Sequence, residues 1–112
     1  METKAVGDLV QKQRDFFLSG ATRPIEFRLD ALRKLCDALK AHEKEILAAV
    51  YADLRKAEVD AYATELAGVY NEIKVAIANV RDWAAREKVT TPIFMTPAKS
   101  YIYKEHYGVT LI

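Results

Sequence analysis

Cysteine is nearly absent, with the lone Cys36 in 112 residues, so no internal disulfide can form. Glycine is sparse as well. The four glycines, Gly7, Gly20, Gly68 and Gly108, are too scattered to build a loop that cradles phosphate. An excess of one charge is missing: seventeen basic residues face sixteen acidic ones, and the two signs alternate along the chain. That argues against a nucleic-acid footprint. No apolar run approaches membrane-spanning length, and Met1 to Asp8 hold no apolar core of a secretion signal. The expectation is a cytoplasmic chain in which no membrane association is encoded. Internal repeats and low-complexity stretches are also lacking.

What is present is a globular composition, 51% hydrophobic and 29% charged, with room for one domain. Four helices are expected. The first covers 3 to 18, with Val6, Leu9, Val10, Phe16 and Phe17 among charged neighbours, and Ser19-Gly20 stops it. The second begins at about Pro24, since proline suits a first helical position. Its apolar stripe is Phe27, Leu29, Leu32, Leu35, Cys36 and Leu39. The third, 43 to 55, buries Ile46, Leu47, Val50 and Leu54. The last runs from Asp60 to about Glu87, with Tyr62, Leu66, Val69, Tyr70, Ile73, Ile77, Val80, Trp83 and Ala84 at helical spacing and no proline.

After Thr90 the pattern changes. Thr91-Pro92 and Thr96-Pro97 bracket a loop around Ile93, Phe94 and Met95, Ser100 to Tyr107 reads as a strand, and Val109 to Ile112 reads as the start of a second, buried one. The fold class is therefore mainly α, about four helices with the last one long, followed by two β-strands. Two such strands alone make a marginal sheet. The expected organisation is an N-terminal helical region, 1–98, and strands at 99–112 that lead into a sheet lying beyond this sequence.

The residues offer little catalytic chemistry. Cys36 sits on the apolar stripe beside Leu35 and reads as a packing residue, because a nucleophilic thiol needs a base or cation beside it. His42-Glu43 opens like a zinc-binding helix motif, but Ile46 stands where the second histidine belongs. His106 has no histidine or cysteine neighbour. Glu43 with Glu45, and Glu58 with Asp60, read as solvated helix ends rather than acid/base pairs. The expectation is that catalytic, cofactor-binding and metal sites are all absent from this chain.

Several motifs in register go further. Thr22-Arg23-Pro24-Ile25-Glu26-Phe27-Arg28, Ala52-Asp53-Leu54-Arg55-Lys56, Ala61-Tyr62 and Asn71-Glu72-Ile73 occur in this order. Tyr101-Ile102-Tyr103-Lys104-Glu105 and Gly108-Val109-Thr110-Leu111-Ile112 follow them. Together they resemble the N-terminal region of class 3-type aldehyde dehydrogenases over nearly the whole chain. Two departures are His106-Tyr107, where many relatives have proline after the glutamate, and Gly68, where some have tyrosine.

The resemblance implies part of an α/β aldehyde dehydrogenase fold whose complete form oxidises aliphatic or aromatic aldehydes to carboxylic acids with NAD or NADP. It also implies that the nucleophilic cysteine, the general-base glutamate and the nucleotide-contacting glycine lie downstream. Cys36 does not match that nucleophile. The implied partners are the remainder of the fold and, for the parent, a second copy in a homodimer. The fragment itself is expected to self-associate. The rival reading is a stand-alone helical interaction module derived from such an enzyme.

Overall fold

The computed structural model describes residues 2–111, with burial described from Ala5 onward. Its elements are α1 (Glu2–Leu18), α2 (Ile25–Ala41), α3 (Glu43–Leu54), α4 (Glu58–Ala61), a π-helical turn (Tyr62–Leu66), α5 (Ala67–Ala84), β1 (Glu87–Val89), a 3₁₀ turn (Ile93–Met95) and β2 (Ser100–Ile102). The fold class is as the sequence implies, mainly helical with two antiparallel strands. The chain divides into two compact units, Met1–Phe27 with Arg81–Ile112, and Arg28–Val80.

In the unit formed by 28–80, the core is Leu47, Ala61, Leu66 and Tyr70, with Cys36, Leu39, Ile46 and Val50 packed against it. The inward positions of α5 and the turn before it are Leu66, Tyr70, Ile73 and Ile77, spaced four, three and four apart, so one stripe faces inward. Tyr62 and Val69 belong to the expected apolar set but lie largely exposed. On α2 the same sorting leaves Leu29 buried and Leu32, Cys36 and Leu39 half-buried, while Leu35 points outward. Each fully buried aliphatic side chain in this small core contributes about 1.5 to 3 kcal/mol.

The last expected helix is not one regular α-helix. It starts at Glu58, passes through the π turn and ends at Ala84. The π turn is held from outside: Lys56 Nζ donates to Thr64 Oγ1 at 3.0 Å and to Glu65 Oε1 at 2.6 Å. Thr64 Oγ1 in turn donates to the Asp60 carbonyl at 2.8 Å. Before it, α3 closes on Arg55, whose φ of 54° is left-handed and whose amide returns to the Tyr51 carbonyl. A non-glycine residue pays strain there, offset in part by the Arg55 guanidinium lying 5.5 Å from the Tyr51 ring centroid.

In the other unit, α1 ends in a turn at Gly20, whose φ of 76° suits glycine. The Gly20 amide bonds to the Phe17 carbonyl and the Ser19 hydroxyl donates to the Phe16 carbonyl at 2.6 Å. The strands differ from expectation. Residue 87, assigned to the helix end, begins β1, and β2 is only Ser100–Ile102 rather than Ser100 to Tyr107. The register pairs Glu87 with Ile102, Lys88 with Tyr101 and Val89 with Ser100. Pairing stops at Ile102 because β1 begins at Glu87, just past the end of α5, leaving Tyr103 onward without a partner strand. Val109 to Leu111 form no strand either. They run beside α1 instead, lining a groove with Val6, Leu9, Val10, Phe16 and Phe17, while Ile112 lies outside the described residues.

Candidate functional site

Of the groups that chemistry would need, Cys36, Glu43 and Tyr70 share one groove, while the two histidines lie elsewhere. Cys36 is half-buried, packed on the core and open on one side to a shallow groove with Lys40, Glu43, Tyr62, Tyr70 and Lys74. It is thus less enclosed than a wholly buried packing residue. Glu43 enters that groove from the first turn of α3, where a carboxylate complements the helix dipole. Tyr70 reaches it from α5 and donates its phenol to Glu43 Oε2 at 2.9 Å. Burial, followed by the bond to Glu43, pushes the Tyr70 phenol up to about 12. The proton stays on Tyr70 at neutral pH, so the pair is a lock between α3 and α5 rather than an acid/base couple.

His42 precedes α3 with Nδ1 at 3.2 Å from Glu45 Oε2, both side chains exposed. His106 lies edge-on to Phe17, ring centroids 6.1 Å apart. Among the described residues no three histidine, cysteine or carboxylate side chains gather as a metal site would require. Glu58 and Asp60 occupy the first turn of α4. Asp60 adds to the field around Lys56, whose ammonium is held above its ordinary pKa mainly by the hydrogen bond to Glu65. The Glu65 carboxyl is lowered chiefly by the same bond.

The pyrophosphate of the nicotinamide dinucleotide implied by resemblance would meet carboxylates at three of the described helix starts. A pyrophosphate binds where helix amides face it without competing anions. The first turns of α2, α3 and α4 carry Glu26, Glu43 with Glu45, and Glu58 with Asp60. These carboxylates would oppose a phosphate at those helix ends, whereas α5 carries none in its first turn.

Several interactions escaped the sequence reading. The Tyr70–Glu43 bond spans 27 positions, and its only signal was that a core tyrosine needs a partner for its hydroxyl. Arg86 lies over the Tyr101 ring, 4.3 Å from the centroid, and donates to the Tyr103 hydroxyl at 3.3 Å, contacts that depend on the pairing of β1 with β2.

The comparisons with known proteins give these elements a family context. No protein-family model matches the chain. It is 44% identical over 97 residues to 4,4'-diaponeurosporen-aldehyde dehydrogenase of Staphylococcus aureus, covering 87% of this chain and 21% of that protein. The dimeric NADP-preferring aldehyde dehydrogenase of Canis lupus familiaris is 39% identical over 107 residues, covering 96% of this chain and 24% of the relative. Aldehyde dehydrogenase family 3 member A2 of Macaca fascicularis is 39% identical over 103 residues, covering 92% and 21% respectively.

The backbone agrees: it superposes on a substrate-bound Staphylococcus aureus AldH structure with a TM-score of 0.84 at 39% identity, covering 89% of this chain and 22% of that one. Over most of its length the chain is similar to class 3 aldehyde dehydrogenases, as its motifs indicated, and its fold matches the corresponding part of an aldehyde dehydrogenase. The chain spans about a fifth of the length of these relatives.

Proposed function

We propose that these residues are the N-terminal, non-catalytic helical portion of an NAD(P)-dependent aldehyde dehydrogenase that oxidises aldehydes to carboxylic acids. On this reading 1–98 is the helical region and 99–112 leads toward the cofactor-binding and oligomerisation sheet. The observation that carries it is the joint match in sequence and backbone to about a fifth of an aldehyde dehydrogenase. The exposed apolar side chains support it. Val6, Leu9, Leu35, Val69 and Trp83 are each at least 43% exposed on their helices, and apolar helix faces of this kind are covered by protein in a complete fold. The substrates of the complete enzyme would be apolar aldehydes, in keeping with a relative named for 4,4'-diaponeurosporen-aldehyde.

The test is to express the 112-residue chain alone and together with the remaining four fifths of the Staphylococcus aureus relative as a separate polypeptide. Alone, the chain should show no aldehyde oxidation with NAD or NADP. The separate remainder should gain activity only when this chain is co-expressed and co-purified with it. Turnover by the isolated chain, abolished by Cys36→Ala, would sink the non-catalytic assignment. Failure to associate with the remainder would favour a stand-alone interaction module.

A further inference from the structure

We draw no further inference here: the strongest candidate, the shallow groove on 28–80 where Cys36 of α2 lies beside Lys40, Glu43, Tyr62, Tyr70 and Lys74, rests on a lone cysteine, and nothing else in it points to a ligand.

Discussion

At the level of single residues, Tyr70 shows how one side chain couples burial to charge. Its ring belongs to the core at 9% exposure, and its hydroxyl meets Glu43. The phenol is raised from 10.0 to about 12. A group whose pKa is higher in the folded than in the unfolded state contributes stability that is complete below the unfolded value and lost as pH rises through the folded one. The contribution is therefore intact at pH 7 and fades between about pH 10 and pH 12. Denaturant titrations across that range should show a decline in stability that Tyr70→Phe removes. An identical alkaline decline in the variant would mean that Tyr70 does not titrate as its surroundings require.

At the level of elements, the π turn at Tyr62–Leu66 sets how the long helix begins. It carries Leu66 into the core while leaving Tyr62 and Val69 outward, and Lys56 grips it from the preceding linker. Lys56→Met keeps the length of the side chain but removes both hydrogen bonds. Amide exchange across 62–66 should then accelerate severalfold, with little change in 73–80, where helix packing rather than Lys56 protects the amides. Equal protection in the two proteins would show that the turn is held by the core alone. The pair with Glu65 adds a pH signature of opposite sign to that of Tyr70. Because Glu65 is lowered from 4.5, its contribution is present above that pH and fades as pH falls through the lower, folded value.

These same elements show what could be read from sequence. Three- and four-residue spacing located the four long helical stretches, and Ser19-Gly20 and Pro24 marked the end of α1 and the start of α2 within a residue or two. Periodicity sorts residues into faces only where a partner lies on that face. Leu35, Val69 and Trp83 had suitable spacing yet remain about half exposed, so hydrophobicity alone overstated the core. The β1–β2 pair was misplaced for a different reason. Glu87-Lys88-Val89 has little strand character by itself and becomes a strand through its hydrogen bonds to Ser100–Ile102, a non-local interaction. The absence of a strand at Val109 to Leu111 is of the same kind, for an apolar run becomes a strand only when another strand pairs with it.

At the level of the whole molecule, the balance between buried and exposed apolar surface makes a prediction about solution behaviour. Among the described residues the buried set is Leu29, Leu47, Ala61, Leu66, Tyr70 and Ile73, and no side chain is fully enclosed by volume apart from what Ala61 contributes at 0% exposure. Against it stand exposed Leu9, Phe16, Leu18, Phe27 and Leu54, besides the side chains of the 3₁₀ turn at Ile93–Met95. Apolar surface on this scale is covered in a stable protein by another element or another chain. The 112-residue chain alone should therefore associate as its concentration rises, seen as increasing molar mass by light scattering, and should bind an apolar-surface dye. Co-expression with the remaining part of a class 3 aldehyde dehydrogenase should suppress both, because the same faces would then be occupied. Leu9→Gln with Phe16→Gln should reduce association without unfolding α2, α3 or α5, since neither side chain belongs to the 28–80 core. A chain that remains monomeric and dark to the dye at every concentration would show that these faces need no cover, and the helical module would then stand as a domain in its own right.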